Sequence, residues 1–422
     1  MNAPQRRAER EAHLAARYRE VRARTEALCA PLEPEDYPIQ AVPEASPPKW
    51  HLAHVTWFFE TFVLRPFAPG YEAFHPRFEY LFNSYYESVG PFHPRAQRGV
   101  LARPATEAIY RYRAHVDARV LALLESGTPP AADAAARIEL GLHHEEQHQE
   151  LLLMDIKANF AANPLRPAYR SAFAGPCEAA PAKLEWLERD AGPVEIGHSG
   201  AGFAFDNETP RHREWLAAHR LASRPVTNGE YLEFIAAGGY REPRHWLSDG
   251  WAAVRARGWE APLYWERIDG AWWRMTLAGM QPVDEAEPVC HVSFYEADAF
   301  ARWAGRRLPT EAELERELAA RPLAGNFMDE GRFEPRAAAA GDGQWFGDVW
   351  EWTRSSYSPY PGFRPLAGAL GEYNGKFMAN QFVLRGGSCA TPRAHMRATY
   401  RNFFYPHERW PFTGIRLADD AG

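Results

Sequence analysis

The chain has 422 residues, 46% hydrophobic and 24% charged, a globular balance with length for two or three domains. A net charge of −7 with no basic cluster argues against nonspecific nucleic-acid binding, and no run approaches the ~18 apolar residues of a membrane span. Cys29, Cys177, Cys290 and Cys389 form no C-x-x-C pair and suggest no disulfide framework. With a charged N-terminus lacking an apolar signal core, they fit a reducing cytoplasm.

Residues 7–30 read as a charged amphipathic helix. The Pro-rich passage PLEPEDYPIQAVPEASPPKW then makes an extended connection. A second helix, KWHLAHVTWFFETFVLRPF, puts Trp50, His54, Trp57 and Phe58 on one face. His54 and His51 are both candidate metal ligands, and either also reads as an ordinary core or rim histidine. In the following FEYLFNSYYESVGPFHPRAQRGVLARP, a short helix or strand and a loop, Tyr85 and Tyr86 precede Arg95 and Arg98. Tyrosine can donate a proton or an electron, and arginine can grip a carboxylate with two parallel hydrogen bonds. The plainer alternative is a structural tyrosine pair with solvated arginines.

Residues 104–126 and 131–160 give two more helices, so the first 160 residues read as an antiparallel four-helix bundle whose facing helices could converge on a metal. In IELGLHHEEQHQELLLMDIK (138–157), Leu140, His144, His148, Leu151 and Leu152 fall on one helical stripe. Residues four apart are neighbours on a helix, so His144 and His148 can hold one ion. Glu145, Glu146, Gln147 and Glu150 would be costly packing unless something cationic were near. Two core histidines satisfied by hydrogen bonds are the alternative. His144-Glu145-Glu146-Gln147-His148 also spells H-E-x-x-H, the zinc-protease motif, but no extended form with a downstream third ligand follows.

From Ala161 to about Pro193 the composition turns to Pro, Ala and Arg, as in an interdomain linker. Beyond it, runs are short and Gly, Trp and Pro frequent; helices are expected at Thr227–Ala237 and beside RRLPTEAELE. The sequence therefore predicts an α+β protein, with domains at 1–165 and 193–422 joined by a linker at 166–192.

HLAHVTWFFE and HHEEQHQELLL resemble a DinB-type bundle. PVTNGEYLEF, VSFYEADAFARWAGRRLPTEAELE, GDVWEWT, LRGGSCATPRAHMRATYRN and TGIRLA resemble the C-type-lectin-like domain of formylglycine-generating enzymes. Joined in this order they are similar to EgtB, the sulfoxide synthase family of ergothioneine biosynthesis. The resemblance implies non-haem Fe(II), O2 as co-substrate, and joining of a sulfur donor to the imidazole of hercynine to give a sulfoxide. It implies His54, His144 and His148 as iron ligands, with three neutral imidazoles leaving positions open for substrates. Gln147 and Asn402 match the hercynine-binding pair. Phe403, Phe404 and Trp410 lie close enough in sequence to offer aromatic faces to a quaternary ammonium, or simply to pack in a core.

The S-Y-Y and R-x-x-R elements resemble the branch that takes free cysteine, with the tyrosines at the iron, Arg95 on the cysteine carboxylate, and Glu44 where that branch has an acid near the amine. The γ-glutamylcysteine branch has an Asp two residues after the Asn402 equivalent; here Phe404 stands there, and an apolar ring cannot hydrogen-bond the longer donor. The resemblance thus implies L-cysteine, with γ-glutamylcysteine or a selenium donor as alternatives. Formylglycine generation needs two cysteines at positions held here by Thr391 and Met396. A zinc hydrolase and a non-enzymatic lectin-like module are the remaining alternatives.

Overall fold

The computed structural model describes residues 3–126, 132–170, 182–339 and 343–421, with side chains from residue 12 onward. It divides into two compact units, Met1–Pro164 with Ala367–Glu372, and Leu165–Leu366 with Tyr373–Gly422.

The first unit is helical: α1 (Ala3–Cys29), α2 (Pro48–Phe59), the short α3 (Arg65–Phe67) and α4 (Phe78–Phe82), then α5 (Thr106–Leu124) and α6 (Ala132–Ala162). The long helices α1 and α2 each pack against both α5 and α6. Pro48 opens α2 where its missing N–H costs nothing. Every residue of α2 is buried, as expected of a helix apolar around most of its circumference. The helix continues into a π-helical turn, Glu60–Leu64, a rare geometry that recurs at functional sites. Buried Glu60 pins this turn by accepting from Tyr71 Oη (2.6 Å), Phe74 N (3.0 Å) and Tyr112 Oη (2.8 Å).

Gly141 sets how closely α2 approaches α6. A Cβ there would lie 2.6 Å from Cε1 of Phe59 and 2.9 Å from Cε1 of Phe58, closer than carbon atoms tolerate. The bare backbone lets the two helices touch, and the histidines meet across that contact.

The second unit contains β1 (Trp186–Arg189), β2 (Gly192–Ile196), β3 (His212–Leu216), β4 (His219–Ala222), α7 (Asn228–Ala236), α8 (Ser248–Arg257), β5 (Trp265–Ile268), β6 (Ala271–Thr276), β7 (Gly279–Pro282), α9 (Phe294–Trp303) and α10 (Glu311–Ala319). It is completed by β8 (Gly325–Asn326), β9 (Phe346–Gly347), β10 (Trp350–Ser356), β11 (Phe382–Arg385), β12 (Asn402–Phe404), β13 (Thr413–Gly414) and β14 (Ala418–Asp420). The larger sheets run β12-β11-β10-β13, β1-β4-β14 and β5-β6-β7. Helices α7, α9 and α10 open on capping boxes, Thr227 with Glu230, Ser293 with Glu296 and Thr310 with Glu313, each answering two orphan N–H groups reciprocally. The R-R-L-P-T-E motif is scaffold: Arg307 makes paired 2.8 Å bonds to Glu313. Two residues earlier, Glu311 takes Arg401 at 2.9 and 3.0 Å and Arg385 at 3.0 Å, tying β11 to the start of β12.

Two expectations are corrected. The stretch 166–192 contains β1, paired with β4. At its start, Tyr169 and Arg170 donate backbone N–H groups to Leu277 O at 2.8 and 3.1 Å, with Tyr169 buried. Composition suggested a linker, but these backbone bonds tie Tyr169, Arg170 and Trp186–Arg189 into the second unit. Residues 171–181, and Cys177 with them, lie outside the described residues. Helix α8 was not foreseen, because its sequence SDGWAAVRAR has little apolar periodicity.

Candidate metal centre

His54 on α2 and His144 and His148 on α6 converge, with one ring nitrogen of each within 4.8 Å of the others. Ring centroids are 4.9 Å apart for His54–His144, 4.7 Å for His54–His148 and 4.6 Å for His144–His148. Nε2 of His54 and Nε2 of His144 are 3.2 Å apart, a separation that two nitrogens each ~2.1 Å from one ion can span.

Short helix α4 orients His54. Its last carbonyls have no partner within so short a helix, and α2 supplies them: Trp50 Nε1 donates to Leu81 O at 3.1 Å and His54 Nδ1 to Phe82 O at 2.6 Å. The second bond fixes the proton of His54 on Nδ1 and leaves Nε2 as a lone pair facing the other imidazoles. Burial, with His144 adding to it, pushes the His54 pKa well below the ordinary imidazole value. Burial takes His144 to about 3. His148 is also held well below normal, by burial first and then by His144 and His54. All three are neutral bases at neutral pH, the form in which imidazole ligates a metal.

Rings flank the triad in a continuous chain of aromatic contacts. His54 lies between Trp50 (4.5 Å, 13°) and Trp57 (5.5 Å, 15°). Trp57 meets Tyr86 at 5.6 Å, and Tyr86 stacks on Tyr85 at 4.6 Å. On the other side the Arg98 guanidinium sits 3.4 Å from the Trp50 ring centre. Tyr86 is fully buried, whereas Tyr85 is partly exposed. The loop that carries them is held at both ends. Asn83 accepts from Tyr86 N at 3.0 Å and donates to Tyr86 O and Gly90 O. Glu372 accepts from Glu87 N at 3.0 Å and Ser88 N at 2.9 Å.

The two arginines separate. Arg95, expected to grip a substrate carboxylate, is exposed, and Arg98 is the buried one, at 2% exposure. Arg98 donates to Ser46 Oγ (2.9 Å) and Ser84 Oγ (3.1 Å); among the described residues no carboxylate pairs with it and its Nε has no hydrogen-bond partner. Burial, then the neighbouring charge of Arg95, drives its pKa well below the ordinary guanidinium value. Glu44 is exposed and makes no hydrogen bond to a described residue. Gln147 is partly exposed; the buried glutamine is Gln149, which donates to Val21 O and Thr25 Oγ1 at 2.9 and 3.0 Å.

The cations around the α6 carboxylates belong to the protein itself, which corrects the idea that those carboxylates need a metal. Glu145, fully buried, accepts from Arg22 (2.8 Å), Arg113 (2.7 Å) and Thr25 Oγ1 (2.6 Å). Burial alone would raise its pKa, but Arg113 and Arg22 outweigh that and hold it below normal. Glu146 takes Arg17 at 3.1 Å. A carboxylate bound by two arginines and a hydroxyl is a poor general base, so H-E-x-x-H here lacks its hydrolytic part.

In the second unit, Asn402, Phe403 and Phe404 form β12, opposite Leu384, Val383 and Phe382. Alternation along a strand puts Asn402 and Phe404 on one face and Phe403 on the other. Phe403 is engaged in packing, 4.0 Å from Tyr357 at 10°, and Phe404 meets Trp410 edge-on at 5.5 Å. A cleft of about 1020 Å³ in this unit, lined by Trp259, Tyr264, Trp265, Trp272 and several arginines, contains none of the candidate residues.

Asp155 was missed, although it lies seven residues after His148 on the same helical stripe, a legible spacing. Glu372 and Ser46 gave no local signal. The triad fits a first-row divalent ion: three converging neutral nitrogens, one tautomer fixed by a carbonyl, and no carboxylate among the three ligands.

Residues 187–345 and 330–421 match the sulfatase-modifying factor enzyme 1-like domain, and residues 17–152 the DinB superfamily. The chain is 34% identical over 416 residues to the hercynine oxygenase of Mycolicibacterium smegmatis, covering 90% of this chain and 92% of that protein. It is 29% identical over 232 residues to ergothioneine biosynthesis protein 1 of Schizosaccharomyces pombe, 51% of this chain and 27% of that protein. Against the formylglycine-generating enzyme of Streptomyces coelicolor, identity is 31% over 273 residues, 53% and 84% of the two chains.

Proposed function

Because the chain belongs to the EgtB-type hercynine oxygenase family, we propose that it couples L-cysteine oxidatively to hercynine in ergothioneine biosynthesis, using Fe(II) held by His54, His144 and His148. The observation that carries this reading is the triad: three neutral imidazoles from two helices converge, His54 and His144 buried and His148 partly exposed, with His54 set by Phe82 O to present Nε2. Iron(II), when bound there, supplies O2 activation and acidifies a thiol. The reaction balances as imidazole C–H plus thiol S–H plus O2 giving a C–S-linked sulfoxide and water. Forming the C–S bond and oxidising the sulfur each remove two electrons, and the four electrons reduce O2.

Arg98 receives the cysteine carboxylate in this reading, in place of Arg95. A buried guanidinium with no carboxylate partner is costly, and a substrate carboxylate would offset that cost while the serines hold the arginine in place. Tyr86, rather than the more exposed Tyr85, delivers a proton, because it is buried and packs on the Trp57 ring that stacks on His54. Gln147 and Asn402 contact hercynine by their match to the family motif, and Phe404 in place of an acid disfavours a γ-glutamyl donor.

The test is anaerobic reconstitution with Fe(II), then O2, hercynine and equal concentrations of cysteine and γ-glutamylcysteine, with product masses read out. Hercynylcysteine sulfoxide is expected to dominate by at least ~10-fold, corresponding to ~1.4 kcal/mol. A dominant γ-glutamyl product would move the enzyme to the other donor class, and a selenosugar arm tests the selenium alternative.

A further inference from the structure

His51 and Asp155 are buried at 2% and 1% exposure and hold no part in the reading above. His51 Nε2 lies 2.9 Å from Asp155 Oδ2, and His51 Nδ1 lies 2.9 Å from Nδ1 of His148. Asp155 Oδ2 also accepts the backbone N–H of Ser46 at 2.6 Å. A carboxylate only accepts, so His51 must carry its proton on Nε2. With His51 neutral, its Nδ1 is a lone pair, and the 2.9 Å contact is a hydrogen bond when His148 carries its own proton on Nδ1. The order of protons along Asp155–His51–His148 is thereby determined from the carboxylate inward, and it leaves Nε2 of His148 bare.

We propose that His51 and Asp155 are positioning residues that select the tautomer and ring orientation of His148, so that it presents Nε2 to the metal, and that His51 is not itself a ligand. The inference rests on His148 being a ligand and concerns what makes it one. The two α2 histidines thus divide the work. His54 takes its own tautomer from a backbone carbonyl, Phe82 O, and faces the triad. His51, one helical turn earlier, bridges α2 to Asp155 two turns further along α6. Hydrogen-bond partners of metal-bound imidazoles are worth ~10–100-fold in metal affinity.

Metal affinity provides a measure other than turnover. The metal-free full chain is titrated with Co(II) against a competing chelator, and visible ligand-field bands are recorded, for wild type, His51→Phe, His51→Gln, Asp155→Asn and His148→Ala. His51→Phe is expected to weaken Co(II) by ~10–100-fold and shift the bands. Asp155→Asn is expected to do the same, because an amide can donate to His51 Nε2 and reverse the proton order. His51→Gln, whose amide can donate to Asp155 and accept from His148, should recover most of the affinity and the wild-type bands. This rescue separates positioning from mere folding, with circular dichroism checking that each variant is folded. Wild-type affinity and bands in both His51→Phe and Asp155→Asn would overturn the proposal. So would loss of Co(II) in His51→Gln as complete as in His148→Ala, which would make His51 a ligand. Undiminished Co(II) binding by His148→Ala would overturn the ligand assignment and this inference with it, and is read independently of the His51 variants.

Discussion

Helix α6 buries two polar clusters on adjacent faces, and they are built on opposite principles. Around Glu145 the charges balance: the two arginines it binds also pair with Asp117 and Glu26, and its three contacts, to them and to a threonine hydroxyl, lie between 2.6 and 2.8 Å. One residue earlier, His144 faces His54 and His148, three bases of one kind with depressed pKa values and no carboxylate among them. Beyond Trp50 lies Arg98, a cation without a carboxylate partner. A balanced buried cluster is complete and holds helices together. An unbalanced one is complete only with something added, and the imbalance marks the site better than burial or charge does.

The largest test breaks the unbalanced side. His54→Ala, His144→Ala and His148→Ala should each abolish metal binding and reduce turnover to background, read by metal content after desalting, while Glu145→Gln keeps its metal. Metal loss in Glu145→Gln without any change in fold would erase the distinction. On the balanced side, Glu145→Ala leaves Arg22 with Asp117 alone and Arg113 with Glu26 alone, and breaking these buried pairs should cost ~3–5 kcal/mol in urea unfolding. The Glu145 pKa is held below its ordinary value, so its contribution is present at neutral pH and is lost as pH falls through that lowered value. Glu145→Gln should therefore flatten the acid limb of stability against pH, and an unchanged limb would count against the charge-balance account.

Tyr86→Phe should slow product formation by ~10²–10⁴-fold if it delivers a proton, or divert O2 to oxidising the thiol alone. Tyr85→Phe, at the exposed end of the stack, should have the smaller effect. Equal effects would mean that burial does not choose between them. The smallest expected change is Gly141→Ala, which forces Phe58 and Phe59 away from α6 and should cost ~1–3 kcal/mol by overpacking, with weaker metal binding as α2 retreats. Loss of stability with unchanged metal affinity would show that the close approach of the helices is not what holds the triad together.

Local information was enough for the helices of the first unit, for the His144–His148 stripe and for the capped starts of α7, α9 and α10, because helical periodicity and caps are properties of a few consecutive residues. It also carried the family motifs. It gave no sign of the bonds of Tyr169 and Arg170 to Leu277 or of the strand at Trp186–Arg189, and it passed over α8, whose polar sequence lacks a core-facing stripe.

What only the tertiary structure decided are the choices between near neighbours. His51 and His54 differ in sequence by one helical turn, yet one meets Asp155 and the other faces two imidazoles. Arg95 and Arg98 differ by three residues, yet one is solvated and the other is buried under Trp50. Glu372 reaches the tyrosine loop from nearly three hundred residues away, and no local pattern announces it. Sequence determines which side chains are available and which share a face. Which partner each finds depends on how closely separate helices approach, and in this chain that distance turns on one glycine and two phenylalanine rings.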